Sequence, residues 1–72
     1  MKVIERKEMM LKALQKKYEG DIEWHRANIN VYLSNPAGIG EHPDILEAIN
    51  TELEKMVSAE EKIHMLVNHW EY

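Results

Sequence analysis

Apolar residues recur at helical spacing in two long stretches of the chain. In the first stretch, residues 2–34, they lie three, four or seven positions apart, and strand-like alternation never lasts. The main stripe consists of Ile4, Leu11, Leu14, Tyr18, Ile22, Ile29 and Leu33, and a second stripe of Val3, Met10, Trp24 and Val31. Gly20 could end a first helix, with Asp21 capping a second. The seven-residue phase passes through Gly20 without a break, so the pattern favours one long helix, either straight or bent at Gly20.

The second stretch, residues 43–71, predicts another helix. Pro43 suits a first helical position, and Asp44 complements the helix dipole in the first turn. The apolar stripe consists of Ile45, Ile49, Met56, Ile63 and Trp70, flanked by Leu46, Leu53 and Val67 on one side and by Ala59 and Leu66 on the other. Neither Gly nor Pro interrupts it.

Residues 35–42 predict the turn between the helices, because prolines and glycines concentrate there. The predicted fold is therefore all-α: a single domain over residues 1–72, built as a long antiparallel helical hairpin. Residues 1–18 hold six Lys or Arg against two Glu, a balance of +4, and residues 43–72 hold two Lys against seven acids, a balance of −5. Folding back places Lys12, Lys16 and Lys17 near Glu60 and Glu61. It places His25 roughly opposite Leu53.

The apolar face of each helix is wider than one helix–helix contact needs. Chains of this size bury only about 60% of their unfolded surface and are marginal alone. The chain has no cysteine, so disulfides cannot supply the missing stability. We therefore expect a homo-oligomer, with a dimer closing into a four-helix bundle favoured.

Composition limits the cellular compartments and the classes of binding partner that we expect. No apolar run approaches the roughly 20 residues that span a bilayer, and the charged start does not resemble a signal peptide. We expect a cytoplasmic protein without a membrane partner. The net charge is −4, and the basic residues of the first helix lack interleaved aromatics, so nucleic acid is an unlikely partner.

The residues predict no catalytic or metal site. His64 and His69 lie five positions apart and miss the spacing of a helical metal pair. Glu61 and His64 make one Glu-x-x-His match, without the second that a di-metal bundle site needs. Neither a nucleophile–base pair nor a cofactor motif is legible, so we expect a non-enzymatic protein with no metal and no cofactor.

Aromatic, basic and loop residues form the candidate binding set. Trp24, Tyr32 and Trp70 suit interface anchors, or a stacking surface for a nucleotide base with Arg26 near its phosphate. His25 lies on the apolar stripe and suits a core or interface position. Gly38, Gly40 and His42 precede a helix N-terminus, which could hold an anion; a shaped turn is the favoured interpretation.

The segment from Asn35 to Asp44, N-P-A-G-I-G-E-H-P-D, adds a resemblance. Together with Tyr32-Leu33 before it, it resembles a family of short helical proteins of large tailed phages, including cyanophages. The resemblance implies a phage origin, the cytoplasm of an infected host cell and a small accessory role. The family brings no assigned catalytic residues.

Three functions follow as hypotheses. The first is a phage-type accessory protein, a homo-oligomeric hairpin that binds a host or phage protein through helix packing. The alternative is an oligomer that sequesters a small anionic ligand, such as a signalling nucleotide, between subunits and so counters host defence. The third is a weak nucleic-acid binder that uses the basic half of the first helix.

Overall fold

The chain folds as two helices packed along one another, in a computed structural model that describes residues 3–34 and 44–72, with side chains from residue 5 onward. Helix α1 covers Val3–Leu33 and helix α2 covers Asp44–His69. Lys7, near the start of α1, lines a cavity with His69 at the end of α2, so the helices are antiparallel. The predicted all-α hairpin is confirmed.

Helix α1 is continuous over 31 residues, including the position of Gly20. None of the described glycines has a positive φ, so Gly20 keeps ordinary helical geometry. A mid-helix glycine costs about 1 kcal/mol relative to alanine. The helix tolerates this cost because its apolar positions keep their phase on both sides of the glycine.

The contact between the helices, which we call the seam, has the spacing of an antiparallel coiled coil. Buried or half-buried residues alternate at three and four positions along each helix. The seam consists of Leu11, Gln15, Tyr18, Ile22, His25, Ile29 and Tyr32 on α1 and Ile45, Ile49, Glu52, Met56, Ala59, Ile63 and Leu66 on α2. Of the described residues, only Ala59 and Leu66 are buried, at 4% and 8% exposure.

Three residues of the predicted main stripes lie outside the seam. Leu14 and Leu33 of α1 are exposed, and so is Trp70 just beyond α2. A two-helix seam is narrow, since it takes only two positions of every seven, and the next apolar positions turn outward. These three residues are therefore part of the apolar surface that a single helix–helix contact leaves uncovered.

The helix ends are closed by local contacts. Asp44 and Glu47 place negative charge in the first turn of α2, and His69 lies in its last turn. The amide of Ser34 donates to the carbonyl of Asn30 at 3.0 Å and so closes the end of α1. Helix α2 ends two residues before the predicted residue 71, and the predicted turn over residues 35–42 lies outside the described residues.

The hairpin is a single layer of helices. It measures 56 × 19 × 11 Å, and its radius of gyration is 16.7 Å, against about 11 Å for a compact domain of this length. Its accessible surface is 5743 Å², against about 4,700 Å² for a compact 8.5 kDa monomer. Neither α1 nor α2 carries an apolar stretch long enough to cross a membrane.

Candidate functional site

A histidine and a glutamate meet inside the seam. His25 Nδ1 hydrogen bonds to Glu52 Oε2, and the two side chains are 17% and 13% exposed. The bond from His25 lowers the pKa of the Glu52 carboxyl below its ordinary value of 4.5, with smaller contributions from Asn28 and Lys55. The predicted placement of His25 roughly opposite Leu53 is off by one residue: Glu52 takes the seam position, and Leu53 lies just outside it.

The His25–Glu52 pair serves the helix contact. Within residues 5–34 and 44–72, no three His, Asp or Glu side chains come together in a geometry that could hold a metal ion. No buried polar side-chain atom of these residues lacks a hydrogen-bond partner. The pair thus satisfies two polar groups that the seam half-buries, and it gives the two helices a specific polar contact between apolar layers.

One broad surface of the hairpin is dominated by apolar residues of α1. We call it the Trp24 face; its exposed apolar residues are Met10, Leu14, Trp24, Val31 and Met65. Trp24 is the most exposed of the large apolar residues of α1, at 69%. Helical geometry places these residues on the side where Asp21 of α1 and Lys55 of α2 line a shared cavity.

The opposite surface is dominated by apolar residues of α2. We call it the Leu53 face; its exposed apolar residues are Leu46, Leu53, Val57 and Val67, joined by Met9 and Leu33 of α1. Val67 lines a cavity with Tyr72, and Tyr72 lines another with Lys12 and Lys16, so basic residues of α1 lie on this side. The hairpin therefore exposes apolar surface on both of its broad sides.

Basic and aromatic side chains converge beside the seam at Tyr18. The ammonium of Lys17 lies 5.6 Å from the centre of the Tyr18 ring, and the ammonium of Lys62 lies 5.4 Å from it. Both distances fall within the range of cation–π attraction. Lys17 also donates to the Asp21 carboxylate at 2.6 Å, and this bond raises the pKa of Lys17.

The cross-helix contacts of the lysines differ from the prediction. Lys17 pairs with Asp21 one turn along its own helix, on the Trp24 face. Among the described residues no ion pair joins Lys12, Lys16 or Lys17 to Glu60 or Glu61. Glu60 belongs to the Leu53 face, so it lies on the other side of the seam from Lys17.

The C-terminal residues return to α1. The hydroxyl of Tyr72 donates to Gln15 Oε1, and Tyr72 is half-buried by this contact. Together with Lys12, Lys16 and Glu19, these two residues line a cavity of about 320 Å³. The terminal aromatic residue thus docks on the hairpin itself.

The described members of the predicted binding set lie in different parts of the hairpin. Trp24 and Arg26 are exposed, and Arg26 pairs with Glu23 at 3.5 Å; His25 and Tyr32 belong to the seam. Trp70 packs edge-on against His69 with ring centroids 5.9 Å apart, at the far end of the hairpin. The remaining predicted residues, Gly38, Gly40 and His42, lie outside the described residues.

The sequence reasoning missed three polar members of the seam region. Glu52 and Gln15 occupy seam positions in the three-four spacing. Extending that spacing through polar residues as well as apolar ones would have placed both in the seam. Lys62 reaches the Tyr18 ring from α2, and no sequence signal indicates that contact.

Comparisons of the chain with protein-family models, with curated proteins and with solved structures found no match.

Proposed function

We propose that this chain is a non-enzymatic, homo-oligomeric helical-hairpin module that acts by binding a protein of the host or of a phage. The observation that carries the proposal is the exposure of large apolar side chains. Twelve described residues of this kind are at least 41% exposed, whereas two hydrophobic residues are buried. Contiguous apolar surface beyond a few hundred Å² is typical of an interaction site.

Two apolar surfaces on opposite sides support two binding events. Domains are normally built from at least two packed layers, and this hairpin supplies one. A second copy on one face completes a bundle and leaves the other face open for a different protein. The phage-type accessory role is part of the proposal and is supported by the resemblance of residues 35–44.

Light scattering on a size-exclusion column over a hundredfold concentration range tests the self-association. We expect a dimer or larger oligomer throughout the range, because the exposed apolar surface favours association. A constant monomer mass contradicts the homo-oligomeric part of the proposal. The binding part is tested by pull-down from infected-cell lysate with the unaltered chain and with Leu53→Glu, which places a charge on the Leu53 face.

The lysine and tyrosine contacts favour a second candidate function, the sequestering of a small anionic ligand such as a signalling nucleotide. Lys17 and Lys62 flank the Tyr18 ring, and Lys12 and Lys16 line a cavity with Tyr72. An aromatic ring with ammonium groups beside it suits a base and its phosphate. A melting temperature that rises with linear or cyclic nucleotides supports this candidate, and an unchanged one contradicts it.

A further inference from the structure

The exposed stripe of α1 on the Trp24 face has its own coiled-coil spacing. Beside the seam, a second set of positions alternates at three and four residues, and it consists of Lys7, Met10, Leu14, Lys17, Asp21, Trp24, Asn28 and Val31. Such a stripe is the pattern that packs against another helix. Met10, Leu14, Trp24 and Val31 of this stripe are all exposed in the hairpin.

We propose that this stripe binds the same stripe of a second copy of the chain, with the two α1 helices antiparallel and the two-fold axis beside residue 19. The proposal rests on the homo-oligomeric function proposed above and names the surface and geometry of that association. It assigns the Trp24 face to self-association and leaves the Leu53 face for another protein.

The middle of the stripe, from Leu14 to Trp24, is self-complementary about residue 19. Lys17 and Asp21 lie two positions to either side of it, so a two-fold axis sets Lys17 opposite Asp21 of the second copy. Leu14 and Trp24 lie five positions to either side, so the same axis sets Leu14 against Trp24. Each contact occurs twice, which gives a central group of four α1 charges bounded by apolar pairs, with Met10 opposite Asn28 and Lys7 opposite Val31 further out. Lys55 and Lys62 of α2 line a cavity with Asp21 on the same face.

The charges select this alignment over its neighbours. Sliding one helix by seven residues in one direction sets Asp21 against Met10 of the second copy. Sliding it by seven in the other direction sets Asp21 against Trp24. In both alignments Asp21 keeps Lys17 of its own helix but loses Lys17 of the second copy, and apolar surface covers the carboxylate, which costs free energy.

The size of the face matches what a stable dimer needs. The hairpin is 56 Å long and 19 Å wide, so full contact covers a footprint of about 1,000 Å² on each copy, and stable interfaces bury roughly 800 Å² per partner. Stacking two layers also converts the single layer into a four-helix bundle with an interior.

The absence of cysteine makes the geometry directly testable. Leu14 and Trp24 are about 15 Å apart along one helix. A disulfide needs Cα atoms within about 7 Å, so cysteines introduced at these two positions could not join within one chain. The experiment prepares Leu14→Cys and Trp24→Cys as separate full-length variants, mixes them in a glutathione redox buffer and resolves them on a non-reducing gel.

The expected result is a cross-linked dimer in the mixture and none in either variant alone. In the mixed dimer one Leu14–Trp24 pair stays intact, so the interface is only half altered. Leu53→Cys, mixed with each variant, serves as the matched control on the opposite face and is expected to stay uncross-linked.

Other patterns overturn the proposal in identifiable ways. Cross-links within a single variant indicate parallel α1 helices. Cross-linking of Leu14→Cys to Met65→Cys indicates that α1 lies over α2 of the second copy. Cross-links that form only with Leu53→Cys assign the association to another surface. So does a dimer in light scattering that forms no cross-link between any of these variants. A monomer by light scattering instead refutes the homo-oligomeric function itself.

Discussion

His25 and Glu52 show how a polar pair is accommodated in a two-helix seam. A half-buried carboxylate is tolerable only when something donates to it, and the imidazole of the facing helix does so. The pair therefore links α1 to α2 specifically, in a seam that is otherwise mainly aliphatic and aromatic. It also makes the stability of the hairpin depend on the ionisation of one carboxyl group.

The lowered pKa of Glu52 fixes the sign of that dependence. A carboxyl whose pKa is lower in the folded chain stabilises folding above its unfolded pKa, near 4.5, and loses this contribution as the pH falls through the folded value. We expect the melting temperature, followed by circular dichroism, to fall below about pH 4.5. Glu52→Gln should be less stable at pH 7, and its melting temperature should fall less steeply with acid; an equally steep fall would assign the acid response to other carboxyls.

Leu66 and Val67 are adjacent residues with opposite environments, which makes them a matched pair for truncation. Leu66 is 8% exposed in the seam, and Val67 is 56% exposed on the Leu53 face. Leu66→Ala should lower the free energy of unfolding by about 2–3 kcal/mol, since it leaves a cavity between the helices. Val67→Ala should change it by less than about 0.5 kcal/mol. Chemical denaturation measures both, and similar losses would contradict the assigned seam.

At the scale of the helix, Gly20 is a weakness that packing does not explain. Its missing Cβ would meet no atom within 4 Å, and its backbone is helical. Gly20→Ala should therefore stabilise the hairpin by about 1 kcal/mol and raise the melting temperature by roughly 4–8 °C. Ala27 lies seven residues further along the same exposed side of α1, and Ala27→Gly should lower the melting temperature by a similar amount. A destabilised Gly20→Ala variant would show that another chain approaches the helix closely there.

The helices could be predicted from the sequence, but the residues that face each other could not. The three-four spacing around Leu11, Tyr18 and Ile22 requires a helix whatever it packs against. Leu14 and Leu33 have the same apolar character as the seam residues, and only the partner helix decides which positions turn inward. Glu52 was missed for the complementary reason: a glutamate is counted as solvated until its facing histidine is known.

In the candidate site, too, single residues could be predicted from the sequence, but contacts between the two helices could not. The exposed aromatic Trp24 could be singled out from its residue type and phase alone. Tyr18 and Lys62 are 44 positions apart in sequence, and their approach depends on how the two helices lie against each other, about which one-dimensional patterns carry no information. The roles proposed for Gly38, Gly40 and His42 stay predictions.

At the scale of the whole molecule, the surface area implies that stability depends on concentration. A single layer with 5743 Å² of accessible surface has little interior, so association adds a large share of the burial. We expect the melting temperature to rise as the protein concentration is raised a hundredfold, because oligomer formation favours the folded chains by mass action. A melting temperature that stays constant while the oligomer persists would show that each hairpin is stable alone.

The docking of Tyr72 on Gln15 has a consequence for the order in which the hairpin folds. Seam positions near the connection, such as Tyr32 and Ile45, are 13 residues apart, whereas Gln15 and Tyr72 are 57 apart. Contacts between nearby residues close first because they cost less chain entropy. The hairpin should zip from the connection outward, and the Tyr72 contact should form last. Tyr72→Phe should therefore speed unfolding in stopped-flow measurements and leave the folding rate nearly unchanged. The Tyr72 hydroxyl would then lengthen the lifetime of the folded chain without affecting how fast the chain folds.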